Sequence, residues 1–473
     1  MAGRVALVLC AILIWYFFRM TREPNQQTSK ALWLPTFWFF IAASRNISEW
    51  LQHSSSGGGD QYLEGNPLDR AVLTAVLAIG AIILVGRYRR VVALLRSNFP
   101  ILLYFFYCGI SFLWSDFPDV SFKRWFRAIG DVVMILVVLT DANLPEALKR
   151  LLTRVGFLVI PLSALFIRYF PELGRSYSRG GQPSWTGVGT DKNALGIICA
   201  VFGLSAVYFF LQLYHKEGRK KRRALIAYGI IIAAGFYLLW QSNSATAFAC
   251  FFLAGSVMVL TYLLPSARKP VFLHMAVALA LLVPFSAMFL GVGSGLVENL
   301  GRNTTFTGRT AIWRAALGLV SNPLLGAGFE SFWLGRRLIQ VENAINQGVN
   351  QAHNGYIEVY LNLGWVGVIL LAVLLITGYR RTVSAARYQT LAGSLRLAYF
   401  IVAIAYNFSE GGFKMMHPIW LVLLLATMID GSMPLAESET GHTEESKGLK
   451  PMLVRKTSRP ERLRGLQPVH RRI

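Results

Sequence analysis

Thirteen apolar runs divide the chain, near residues 5–18, 31–44, 71–86, 100–114, 127–141, 155–170, 193–213, 223–240, 245–265, 270–290, 355–377, 393–409 and 418–430. Roughly twenty such residues carry an α-helix across a bilayer. In hydrocarbon, every backbone polar group must be bonded within the protein, so these runs are read as helices. Of the 473 residues 54% are hydrophobic and 15% charged. That balance excludes a set of soluble domains, a disordered chain and a disulfide-stapled scaffold. The expected fold class is all-α, a polytopic helical membrane protein with about 12–13 transmembrane helices.

A net charge of +23 would suit a nucleic-acid partner only if it formed one patch. Instead the cations sit in clusters between apolar runs, as the positive-inside rule expects. The loops 19–30, 87–99, 142–154, 214–223, 266–270 and 378–392, together with the tail 431–473, hold 30 Lys and Arg. The opposite set, counting Arg4, holds 15. This twofold bias places the C-terminal tail in the cytoplasm and the N-terminus outside. No nucleic-acid partner is expected. The first run lies between Arg4 and Arg19 with no small-residue cleavage site, and reads as an uncleaved anchor. Cys10, Cys108, Cys199 and Cys250 all fall in apolar segments without metal-ligand spacing, and read as small core residues.

With this orientation, residues 291–354 form by far the longest outer loop, followed by 45–70 and 171–192. Loops of such length are usually functional or disordered. The stretch 303–360 mixes aromatics, glycines and arginines, and is expected to fold against the membrane helices. The chain then divides into a transmembrane bundle of about ten spans over 1–290, the large outer loop 291–354, C-terminal transmembrane helices over 355–430, and a basic disordered tail over 431–473.

The outer segments carry more cations than the insertion bias favours: Arg175, Arg179, Lys192, Arg302, Arg309, Arg314, Arg336 and Arg337. An anionic ligand at the outer face is the simplest cause, because guanidinium forks grip phosphate oxygens bidentately. Ordinary pairing with Glu298, Glu330 and Glu342 is the competing explanation. Gly308–Trp313 starts an amphipathic helix with Ile312, Ala315, Ala316 and Leu319 on one face; Asn322-Pro323 ends it, and Gly326 and Gly328 turn the chain. Arg309 falls in the first turn, where the helix dipole mildly disfavours a cation. Trp313 reads as packing.

His353 and Asn354 directly precede the run at 355–377. Asn354 suits an N-cap. His353 suits either a structural role or a general base for a sugar hydroxyl. Asp131, Arg168 and Glu358, near the outer ends of their runs, are explained by snorkelling. Gly291, Gly293 and Gly295 follow no strand, so a dinucleotide site is rejected. No metal-binding cluster is evident in the outer segments, and neither a metal nor a cofactor is expected.

The spacing GR-x-x-x-W (308–313), NPLLG-x-G (322–328) and HNGY-x-E-x-x-x-NLGW-x-G (353–367) resembles the C-terminal pattern of the O-antigen ligase and Wzy-type polymerase superfamily. Upstream, SRGG followed by DKNALG (178–196) is similar to the superfamily's earlier outer-loop pattern, and the likeness extends over roughly 30–430. SRNISEWL (44–51) and EGNPLDR (64–70) are most similar to its exopolysaccharide polymerase branch.

That resemblance implies a metal-independent, inverting, GT-C-like glycosyltransferase in the bacterial inner membrane. Its substrate would be an undecaprenyl-pyrophosphate-linked oligosaccharide, used at the periplasmic face, with chain-length regulator and export proteins as candidate partners. It implies that Arg179 and Arg309 hold the pyrophosphate and that His353 activates the acceptor. Asn193 and Asn354 match motif positions without an assigned role. Arg175, Arg302 and Arg314 are supporting candidates that the motifs do not fix. Polymerisation of repeats is the leading expectation, with transfer of finished glycan to a lipid or protein acceptor as its rival. A lipid-linked oligosaccharide flippase is the remoter alternative, and it lacks the intramembrane charges and internal repeat expected of a transporter.

Overall fold

A computed structural model of the protein describes residues 1–21, 28–51, 65–177, 181–214, 219–289 and 306–428. The tail 431–473 and the loop residues 291–305 lie outside the described residues.

The helices run in chain order as α1 (Ala2–Thr21), α2 (Trp33–Ala42), the single turn α3 (Ile47–Trp50), α4 (Pro67–Val85), α5 (Tyr88–Ser97) and α6 (Phe99–Ile110). Next come α7 (Pro118–Leu139), α8 (Leu144–Tyr169), the turn α9 (Pro171–Gly174), α10 (Lys192–Tyr214), α11 (Arg219–Gln241) and α12 (Ala245–Leu263). The series ends with α13 (Pro270–Phe289), α14 (Phe306–Leu317), α15 (Gly335–Ile345), α16 (Gly355–Tyr388), α17 (Gly393–Tyr406) and α18 (Pro418–Met428). Ahead of α10, the strands Arg175–Tyr177 and Pro183–Trp185 make a small antiparallel hairpin.

The chain therefore adopts the expected all-α polytopic fold, and every apolar run lies in or along a helix. Fewer helices cross a membrane alone than there are runs. Seven of the described helices are long and apolar enough, or eight if the segments 88–97 and 99–114, bent by 89°, make one span. The shortfall has a physical basis in the last two elements. At about 1.5 Å per residue, the 14 residues of α17 and 11 of α18 fall well short of a bilayer core of about 30 Å. Both helices are buried along their whole length, which is how a helix apolar on every face behaves inside a bundle. Close helix approach supports them, since a Cβ at Gly378 of α16 would lie 2.5 Å from the Thr427 methyl of α18.

Short helices leave room for irregular backbone at their junction. Residues 407–417 are non-helical, and each is buried or half-buried, a condition tolerated within a membrane protein only when its polar groups are bonded or line a cavity. Asn407 provides much of that bonding. Its Oδ1 accepts from the Gly412 and Phe413 amides at 2.8 and 3.0 Å, and its Nδ2 donates to the Ala403 carbonyl at 2.7 Å. Gly355, at the start of α16, donates its amide to the carbonyls of Asn407 and Glu410. A Cβ there would sit 1.8 Å from Asn407 Oδ1, so only glycine permits the approach.

The described part of the segment 291–354 packs on the bundle. Ile312, Trp313, Ala316, Phe332, Trp333 and Val341 form a second apolar cluster with Leu361 of α16, on the helical face read from the sequence. The Ala327 and Gly328 amides donate to the carbonyls of Leu361 and Asn362, and the Trp365 amide donates to that of Pro323. These contacts fasten the segment to α16 where Gly364, with φ +61°, kinks the helix.

Candidate functional site

Three sequence candidates meet at a carboxylate that was not among them. Glu410, in the non-helical junction, is only 7% exposed at its side chain. Its Oε1 accepts from Arg309 Nη2 at 2.7 Å and from Asn193 Nδ2 at 2.9 Å. Its Oε2 lies 3.1 Å from Nδ1 of His353, whose side chain is 32% exposed. A carboxylate only accepts, so Nδ1 carries the hydrogen, and in the neutral imidazole the lone pair is then on Nε2.

Each member is set by local sequence. Asp191 Oδ1 accepts from the Asn193 and Ala194 amides at 2.8 and 2.9 Å, capping α10 and fixing Asn193 at its start. Arg309 occupies the first turn of α14. Asn354 is the N-cap of α16: its Oδ1 accepts from the Tyr356 and Ile357 amides, both at 3.0 Å, and its Nδ2 donates to the Phe408 carbonyl at 2.8 Å. The capping role read from the sequence is therefore the observed one.

His353 sits at φ +51°, in the left-handed region that a non-glycine residue occupies only when its surroundings compel it. Both sides of the preceding residue are held. Trp313 Nε1 donates to the Ala352 carbonyl at 2.7 Å, while the Ala352 amide donates to Glu358 Oε1. Glu358 Oε2 accepts from Trp333 Nε1 at 2.8 Å. Trp313 thus packs and also positions the segment that carries His353.

These contacts correct one expectation. Glu358 and Asp131 do not snorkel. Asp131 is fully buried and accepts from Trp38 Nε1 at 2.8 Å and from the Met416 amide at 3.0 Å. Only Arg168 is exposed as a snorkelling side chain would be. Of the competing ion pairs, the described ones take other partners: Arg309 takes Glu410, and Arg337 takes Asp116 at 2.6 Å. Glu342 Oε1 accepts from the Val349 amide instead, and Glu298 lies outside the described residues.

Two other described candidates, Arg175 and Arg314, do not join the cluster. Arg175 Nε donates to the Ile167 carbonyl at 3.0 Å, bracing the hairpin. Arg314 is exposed on α14. Arg179 and Arg302 lie outside the described residues. Glu410 itself left one signal: it is the sole acidic residue between Glu358 and Asp430.

His353, Glu410 and Asn193 line a cavity of about 540 Å³, together with residues 41–46, Arg127 and 414–418. A second, apolar cavity of about 600 Å³ begins beside Asn354 and Phe408 and runs between α13, α16 and α17 past Phe285, Tyr356 and Ile404. A cavity of mixed lining and an apolar groove thus flank the same histidine-bearing turn.

Residues 228–372 match the O-antigen ligase family model. Over those residues the chain is similar to the O-antigen ligase family. The matched stretch contains Arg309 and His353, whereas Asn193 and Glu410 lie outside it. The exopolysaccharide production protein ExoQ of Rhizobium meliloti strain 1021 is 26% identical over 304 residues, covering 62% of this chain and 67% of that protein. A Rickettsia felis protein named "Putative polysaccharide ligase" is 25% identical over 350 residues, covering 69% of this chain and 79% of its own length. The superfamily resemblance drawn from the motifs agrees with these matches.

Proposed function

We propose that this protein is a membrane glycosyltransferase that joins polyprenyl-pyrophosphate-linked oligosaccharide repeats into an exopolysaccharide at the outer face of the bacterial inner membrane. The observation that carries this reading is the convergence of His353 and Arg309 on Glu410. That arrangement supplies a base and a cation within reach of one substrate.

In the reaction, an acceptor sugar hydroxyl gives its proton to His353 Nε2 as its oxygen attacks the anomeric carbon of the donor. The bond from that carbon to the pyrophosphate oxygen breaks, its electron pair leaves with the diphosphate, and the configuration inverts. Glu410 keeps Nδ1–H oriented and stabilises the imidazolium that forms, as carboxylates do in other base dyads. Arg309, with Arg179 as its expected partner, offsets the charge developing on the leaving group without a divalent ion. The groove beginning at Asn354 and Phe408 suits the polyprenyl tail, because its apolar wall starts next to the base.

Transfer of finished glycan to a different acceptor is the second reading. It is favoured by the O-antigen ligase family match and by the name of the Rickettsia relative. Purified protein given a lipid-linked repeat and no other acceptor decides between them. Chain growth supports polymerisation. Turnover only after a separate lipid or protein acceptor is added supports ligation, and no turnover in either case removes both.

A further inference from the structure

The 540 Å³ cavity has cations that its carboxylates do not consume. Glu49, Asp191 and Glu410 line it, and each is occupied. Glu49 Oε1 accepts from Asn46 Nδ2 at 3.0 Å, Asp191 caps α10, and Glu410 holds the cluster described above. Arg45, Arg127, Lys192 and Lys414 line the same space. Arg45 is structural: its guanidinium donates to the carbonyls of Gly189 and Leu173.

Arg127 is placed differently. It is half-buried on α7 within charge range of Asp69 and Asp131, but both carboxylates are taken by other donors. Asp69 accepts from the Ser48 amide at 2.8 Å and from Ser48 Oγ at 2.6 Å. Asp131 accepts from Trp38 and Met416. Among the described residues no acceptor lies within hydrogen-bond distance of Arg127. Lys414 Nζ reaches only the neutral Gln351 Oε1, at 3.4 Å. A guanidinium and an ammonium that line a partly open cavity without a directly bonded carboxylate are placed to take up the charge of a ligand.

We propose that this cavity is a subsite for a saccharide bearing an oxyanion, such as the carboxylate of a uronic acid, with Arg127 as its principal partner and Lys414 as the second. The proposal deepens the glycosyltransferase reading and rests on it for calling the saccharide the acceptor. His353 lines this cavity while Arg309 does not. An acceptor seated here would therefore meet the base, and a diphosphate would sit on the other side of Glu410. The volume falls within the roughly 300–1,000 Å³ usual for ligand pockets.

The full-length protein in detergent can be titrated with trigalacturonic acid, with neutral galactotriose and with inorganic pyrophosphate, each followed by calorimetry. Wild type should bind the acidic trimer and leave the neutral one unbound. Arg127→Gln should weaken the acidic trimer roughly tenfold, about one charge-assisted contact, Lys414→Gln should weaken it less, and Arg127→Lys should recover part of the loss. Pyrophosphate binding should be the same in wild type and Arg127→Gln.

The proposal is overturned if wild type binds neither trimer or both alike. It is also overturned if Arg127→Gln still binds the acid normally, or if that variant loses pyrophosphate instead, which would make the cavity the donor's headgroup site. Turnover of a lipid-linked repeat by wild type is scored separately. Acid binding without turnover would sink the glycosyltransferase reading and leave the subsite standing.

Discussion

Glu410 and Asp131 are both carboxylates buried in a helical membrane protein, and they are bonded in opposite ways. Asp131 is held by an indole and a backbone amide, donors that cannot leave and carry no charge. Glu410 is held by a guanidinium, an imidazole and a carboxamide from three separate elements, beside a cavity. Neutral fixed donors suit a joint between helices. Ionisable donors facing open space suit proton transfer, because the charge on the histidine can change while the carboxylate stays in place. The two histidines that line the cavity differ in their partners. His353 faces the Glu410 carboxylate, whereas His417 accepts at Nδ1 from the Ile419 amide at 3.2 Å and has its pKa driven down to about 3, first by burial and then by the charge of Lys414.

The sharpest way to break this contrast is His353→Ala. Turnover of lipid-linked repeat should fall by about 10²–10⁴, the usual worth of a general base, with melting temperature nearly unchanged. Turnover close to wild type would remove His353 from the chemistry. Glu410→Gln should come next, lowering turnover roughly ten- to hundredfold for the loss of about 1.5–3 kcal/mol in charged hydrogen bonds. Its effect should appear in kcat rather than in binding of the lipid donor.

Arg309→Lys tests whether fork geometry matters beyond charge. A point ammonium should leave about a tenth of the activity, corresponding to one charge-assisted bond; full activity would mean that charge alone suffices. Asp131→Asn is the counterpart to the Glu410 variant. It should cost about 1–3 kcal/mol of stability, read as a lower melting temperature, and leave turnover per folded molecule as it was. Loss of turnover in a folded Asp131 variant would erase the distinction drawn here.

The smallest effect concerns His417. Its folded pKa is depressed, so the unfolded chain takes a proton that the folded one refuses. Stability is complete above about 6.5 and declines as pH falls toward 3. At pH 5 the loss is about 2 kcal/mol, or 1.5 pH units at about 1.36 kcal/mol each. The melting temperature of wild type should fall between pH 7 and pH 5, and that of His417→Asn, which keeps an acceptor for Ile419, should fall less.

Much of the site was legible residue by residue. The first-turn position of Arg309, the capping by Asn354, the packing of Trp313 and the turn at Gly326 and Gly328 all follow from local rules of propensity and periodicity. Glu410 was not legible in that way. A lone acid between two apolar runs marks something unusual, yet it names no partner. Likewise Asp131 and Glu358 looked like side chains reaching for water, because hydropathy records where a residue lies along a span and not what surrounds it.

The order of apolar and basic segments by itself determined that this chain builds a bundle of membrane helices, since lipid permits little else for such runs. Only the tertiary structure decided that Asn193, Arg309 and His353, which lie 217, 101 and 57 positions from Glu410, share one carboxylate. Helix formation depends on neighbours a few residues apart. The meeting of four distant helix ends depends on how whole helices pack and where two short ones stop, which no local pattern encodes.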